Sequence, residues 1–218
     1  MSASETATQG AAKRRNQGMD GNLSVGRFGG VELRLNWSLL AVVALIVWSL
    51  AEGVFPEMNP SLSHPTYIGM ATGAALLFLA SIALHELGHS WVARREGIEV
   101  DSITLWLFGG VSQLKGRFAS PGAEFRVALA GPLVSIVLGV LFVLIALAGA
   151  PSSVDGVAAW LGYINLILAA FNLLPAAPLD GGRVLNAVLW RAKGDFAWAT
   201  RVASEVGQVF AYLFIALG

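Results

Sequence analysis

The chain has 218 residues, 56% of them hydrophobic and only 13% charged, and a mean hydropathy of +0.66. A soluble domain carries about 25% charged residues, so a water-soluble globule is excluded and a polytopic membrane protein is indicated. Lysine and arginine (14) balance aspartate and glutamate (14), which leaves no electrostatic footprint for nucleic acid, and the lack of cysteine excludes disulfides and thiolate metal ligation.

In chain order, Met1–Asn22 is polar and rich in small residues, with a basic cluster at Lys13, Arg14 and Arg15. No apolar core and cleavage site follow at once, so it does not read as a removable signal peptide. It is expected to be a disordered cytoplasmic tail over residues 1–24, ahead of a membrane-embedded domain over 25–218. Four apolar stretches long enough to cross a bilayer come next, at about Leu35–Leu50, Tyr67–Val92, Phe125–Ala150 and Val157–Leu174. Asp180–Trp190 starts a further helical segment, and Thr200–Gly218 is a further apolar, amphipathic one. Because the sequence stops within apolar residues at Gly218, the complete protein is expected to continue.

The charges sort sharply. No lysine or arginine lies between Arg34 and Arg94, and the connection Glu52–Tyr67 carries only Glu52 and Glu57. Basic residues gather at Arg94–Arg126 and again at Arg183–Arg201, while Pro151–Gly156 has none. Positive loops stay cytoplasmic. This places the N-terminus and both basic regions inside, and the two short acidic connections outside. Between the second and third spans, Ile98–Leu114 is rich in β-branched and aromatic residues, with Gly109 and Gly110 near its middle. That composition reads as a strand or hairpin. A free sheet edge cannot face lipid, so it must lie at the interface or line a protein cavity.

His85-Glu86-Leu87-Gly88-His89 sits near the inner end of the second span. Residues four apart share a helix face, so the two imidazoles can bind one zinc, and Glu86 is placed to reach a water on it as general base. Ionisable groups at membrane depth are costly and mark function. A catalytic zinc needs a third protein ligand and an open position. His64 falls in the outer loop, about 30 Å from His85 if the intervening residues are helical. Glu124 and Asp195 lie beside basic residues and are expected to be solvated, and Asp155 is on the outer side. Asp180 follows Pro175 and Pro178, which break the fourth span at inner-leaflet depth, and it lands near the depth of His89. It is expected to ligate the metal; capping a helix that begins near Gly181 is its other reading, and the two are compatible. Gly131, Ser135 and Gly139 give a small-residue face, expected to serve close helix packing. The fold expected is all-α and polytopic, a bundle of about five to six transmembrane helices. A short membrane-associated β-hairpin or re-entrant strand is expected after the zinc helix.

Three motifs in order carry a resemblance: His85–His89, the run Ala130-Gly131-Pro132-Leu133-Val134-Ser135, and Asn172-Leu173-Leu174-Pro175-Ala176-Ala177-Pro178-Leu179-Asp180-Gly181. Together with the opening at Gly26–Trp37, they make the chain resemble the bacterial site-2 proteases, the intramembrane zinc metalloproteases. The likeness covers nearly everything after the tail. It implies one Zn2+ held by His85, His89 and Asp180, water activated by Glu86, and Asn172 positioning substrate or the oxyanion. Pro175 and Pro178 would shape the cleft. It further implies a bacterial plasma-membrane protein acting toward the cytoplasmic side. Its substrate would be a single-pass membrane protein, such as an anti-sigma factor in regulated intramembrane proteolysis. Many members with this opening carry C-terminal nucleotide-binding CBS domains, which the complete protein could share. The rivals are a zinc transporter or metal sensor and an inactive scaffold; the placement of Glu86, the lack of a visible inverted repeat and the intact set of four residues weigh against them.

Overall fold

In the computed structural model the described residues are 21–28, 30–106, 109–116, 118–149 and 151–217. Most of the expected tail lies outside them, and residues 22–24 belong to the first strand.

Two strands precede the first span. β1 (Asn22–Phe28) and β2 (Val31–Asn36) pair antiparallel across a turn at Gly30, whose φ of +87° suits glycine. α1 (Ser38–Met58) follows, with one wide π turn at Leu50–Val54. α2 (His64–Arg95) opens on Pro65 in its first turn and stops at Gly97, whose φ of +80° ends helical geometry. Its 32 residues reach about 48 Å, well beyond a ~30 Å hydrocarbon core, so its ends project from the membrane.

β3 (Glu99–Trp106) and β4 (Gly109–Lys115) form the hairpin that the composition foretold. It does not stand alone. β3 also pairs in parallel with β2, Glu32 opposite Ser102 and Leu35 opposite Leu105, giving one sheet in the order β1-β2-β3-β4. Parallel neighbours need a crossover, and here it is the outward and returning pair α1 and α2. Val31 and Leu33 of β2 and Val100, Ile103 and Leu105 of β3 pack with Ala93 of α2 into one buried cluster. The two N-terminal strands were not read from the sequence. They are short and polar at alternate positions; they pair with each other locally, but the sheet that holds them is completed only by β3, about seventy positions further on.

The remaining helices are α3 (Pro121–Leu147), α4 (Ser152–Asn172), α5 (Asp180–Lys193) and α6 (Phe196–Leu217). α1, α2, α3 and α4 are long and apolar enough to cross a membrane. α3 is central. Gly88 of α2 abuts the Ala130 carbonyl of α3, and Gly139 of α3 abuts the Gly162 carbonyl of α4, each leaving no comfortable room for a Cβ. Small residues at such crossings let helices approach where no hydrophobic effect drives them together. Large apolar side chains such as Leu40, Trp48, Leu133, Val137 and Leu144 stay exposed on the outer surface, as lipid contact requires.

Candidate metal centre

His85 and His89 stand one turn apart on α2, with ring centroids 4.9 Å apart, and both are buried. Counting 1.5 Å per residue, they lie about 15 and 9 Å from the basic end of the helix at Arg95. Asp180 is the first residue of α5, preceded by Leu179 at the N-cap, so its carboxylate does not cap the helix. Instead Asp180 Oδ2 lies 3.2 Å from His85 Nε2 and 3.1 Å from His89 Nε2, and the two Nε2 atoms are 3.2 Å apart.

The other ring nitrogens decide what this triangle is. His89 Nδ1 donates to the Val127 carbonyl at 2.7 Å, because a carbonyl can only accept. His85 Nδ1 lies 2.8 Å from Ser135 Oγ. With its proton on Nδ1, neutral His89 presents an Nε2 lone pair to the same point as a carboxylate oxygen, and His85 does the same when its Nδ1 donates to Ser135 Oγ. Three converging acceptors repel unless a cation sits among them. Four ligands about 2.0 Å from a tetrahedral zinc are about 3.3 Å apart, so the triangle fits one face of that tetrahedron and leaves a fourth position. Hydrogen bonds at the far nitrogens of histidine ligands fix ring orientation in such sites.

α3 shapes the pocket. Val127, Gly131 and Ser135 recur every four residues and so share one face. A Cβ on Gly131 would overlap His89 Nε2 and come within 2.6 Å of His85 Nε2. Pro132 removes the N–H that would bond the Ala128 carbonyl, loosening the turn beside the one that serves His89. Packing was the role expected of this small-residue face. It holds for Gly139, but Ser135 and Gly131 face the imidazoles and belong to the site. The helical spacing of a serine and a glycine in an apolar span, opposite a histidine pair, was the available signal.

Glu86 is half-buried, one residue round from His85. Gly110 of β4 lies directly against it, since a Cβ there would meet the Glu86 carboxylate, with Oε1 at 2.6 Å. The sheet therefore runs past the acid–base candidate at β4, one of its two edge strands among the described residues. Asn172 ends α4 and donates through its amide to the Leu168 carbonyl of its own helix. The loop containing Pro175 and Pro178 supports the start of α5: Gly181 is pressed against the Leu173 and Leu174 carbonyls, and Gly182 against Ala176 and Ala177. His64 is exposed at the far end of α2, 2.9 Å from Glu52.

One expectation fails. Glu124 was read as solvated, but it is 5% exposed, and both carboxylate oxygens accept from Asn186 of α5 at 2.9 Å. Asn186 in turn accepts from Thr200 of α6 at 3.2 Å. The tertiary fold turns this face of α3 toward α5, which a sequence window centred on basic neighbours could not reveal. The pair ties the helix carrying Asp180 to the helix that orients both histidines.

Comparison with known proteins adds the following. The family model described as Peptidase family M50 matches residues 73–154 and 148–214. The Mycobacterium tuberculosis (strain H37Rv) protein Rip3, named for a zinc metalloprotease, is 45% identical over 200 residues, covering 90% of this chain and 51% of its own length. The zinc metalloprotease MJ0392 of Methanocaldococcus jannaschii is 35% identical over 149 residues, covering 66% of this chain and 42% of its own. Among solved structures, the site-2 protease from Methanocaldococcus jannaschii superposes with a TM-score of 0.60 at 28% identity, covering 90% of this chain and 84% of that one. The chain thus spans about half the length of these sequence relatives.

Proposed function

Since the chain belongs to peptidase family M50, the family of the site-2 proteases, we propose that it is an intramembrane zinc endopeptidase. It would cut a peptide bond within or near the transmembrane segment of a single-pass membrane protein. The observation that carries this reading is the buried triangle of three acceptor atoms, His85 Nε2, His89 Nε2 and Asp180 Oδ2, with a glutamate on the same turn. Zinc, when bound there, supplies the Lewis acidity that makes water nucleophilic near neutral pH and polarises the scissile carbonyl.

The chain's own residues do the rest. Glu86 takes the proton of the attacking water and delivers it to the leaving amine. Asn172 holds the peptide carbonyl as it becomes an oxyanion, and Pro175 and Pro178 shape the cleft wall. A substrate helix hides its peptide bonds in its own hydrogen bonds and must unwind first. The free edge of β4, passing Glu86 at Gly110, accepts the unwound stretch as an added strand. The setting is the plasma membrane of a bacterium, with the N-terminus and the site toward the cytoplasm. The basic loops support that orientation, and the β2–β3 pairing supports it by keeping both segments on one side. The substrate is a membrane-bound regulator such as an anti-sigma factor. Nucleotide-binding CBS domains beyond Gly218 would add regulation.

A zinc transporter or an inert scaffold would not need Glu86, which supplies the test. Glu86→Gln should keep zinc by metal analysis yet lose cleavage of a co-expressed membrane substrate by about 100-fold or more. Asp180→Ala should lose zinc as well. Undiminished cleavage by Glu86→Gln would refute the assignment.

A further inference from the structure

A second concave site lies on the outer face of α2, away from the metal. It is a groove of about 660 Å³ walled by Leu84, Leu87 and Trp91 of α2, Val134 of α3 and Val31 of β2, and it ends at Arg94 and Arg95. The volume lies within the range of about 300–1,000 Å³ found for ligand sites. Apart from Ser90, the wall is apolar along the part of α2 at membrane depth, and it is cationic only at its end. That is the chemistry of an amphiphile with an anionic head.

The cationic end is built. The Arg94 guanidinium rests against Gly30 at the β1–β2 turn, where a Cβ would stand 2.9 Å from Nη1. The Arg95 guanidinium lies over the Trp91 ring, 3.7 Å from its centroid. Trp91 is 58% exposed, the behaviour of a ring at headgroup level. The neighbouring carboxylate is engaged with another arginine: Glu96 accepts from Arg126 Nε at 2.6 Å and Nη2 at 2.8 Å. That bidentate pairing holds its carboxyl below the ordinary range. Glu99 is the next acid on the same side and is exposed.

From the groove's apolar wall and its two-arginine end, we infer that it is a binding site for an anionic phospholipid. An acyl chain lies along Leu84, Leu87 and Val134, and the phosphate meets Arg94 and Arg95. Basic pockets between membrane helices hold anionic headgroups in this way. The β1–β2 turn forms part of the site, so bound lipid also braces the sheet that carries β4. The inference is independent of the protease assignment.

The experiment is native mass spectrometry of the full chain released from nanodiscs of equimolar phosphatidylglycerol and phosphatidylcholine. Phosphatidylglycerol should be retained preferentially, and Arg94→Gln and Arg95→Gln should each cut the preference about five-fold, one cation's attraction to anionic lipid. Leu84→Trp, which fills the apolar wall, should displace lipid of either head. Arg191→Gln, at an exposed arginine away from the groove, should change nothing. Equal retention of the two lipids, or loss of the preference in Arg191→Gln as large as in Arg94→Gln, would overturn the inference. Zinc content, measured alongside, should remain constant and separates this outcome from any failure of the metal site.

Discussion

Gly131 has no functional group, yet it decides whether three donors can share an ion. Its α-carbon faces the point where His85, His89 and Asp180 converge, and one added methyl would occupy the space between the imidazoles. Gly131→Ala should therefore weaken zinc binding by on the order of 10–100-fold, the scale of changes beside a metal site. The helical spectrum should change little, because alanine favours the helix. Competition with a chromogenic chelator measures this, and unaltered zinc affinity would contradict the geometry. Ser135 and the Val127 carbonyl act by a different route. The Val127 carbonyl can only accept, so it holds the proton on His89 Nδ1 and turns the Nε2 lone pair inward, while Ser135 Oγ holds the His85 ring through its Nδ1.

At the scale of elements, the candidate metal centre joins two groups. α2 and α3 bring the histidines with their partners, while α5 brings Asp180 from a loop packed under Gly181 and Gly182. The Glu124–Asn186 contact fastens the two groups away from the metal. At about 21 Å, α5 is too short to span the bilayer. The fourth participant is β4. Proline at successive positions 111–114 should divide into two alternating sets, because successive N–H groups of a strand point to opposite edges. Where the N–H points away from β3, zinc content and folding should persist while cleavage falls about ten-fold, the loss of one hydrogen bond. Full activity at every position of the scan would exclude strand addition.

For the whole molecule, the parallel β2–β3 pairing constrains topology more tightly than hydropathy does. Residues 31–36 and 99–106 share one sheet, so α1 and α2 must leave and return to the same side of the membrane. A chain with no cysteine offers a clean background for sidedness. Ser61→Cys, at an exposed position in the α1–α2 connection, should react with a membrane-impermeant maleimide on intact spheroplasts. Ala119→Cys, at an exposed position between β4 and α3, should react only after permeabilisation; the opposite pattern would invert the orientation. The four apolar spans, the hairpin after α2 and the shared helix face of His85 and His89 were legible in the sequence. Each depends on local composition or on spacing within one helix, and lipid as solvent makes those signals strong. Asp180 was legible as a candidate ligand because prolines break a span at the right depth and because the motif around it carries the family resemblance. The strands β1 and β2, the inward turn of Ser135 and Gly131, the burial of Glu124 against Asn186 and the seat of Gly110 on Glu86 were decided by tertiary structure. Apart from the local β1–β2 pairing, each joins residues far apart in the chain, and the direction a side chain takes around a nearly uniform apolar helix is set by the neighbours it meets.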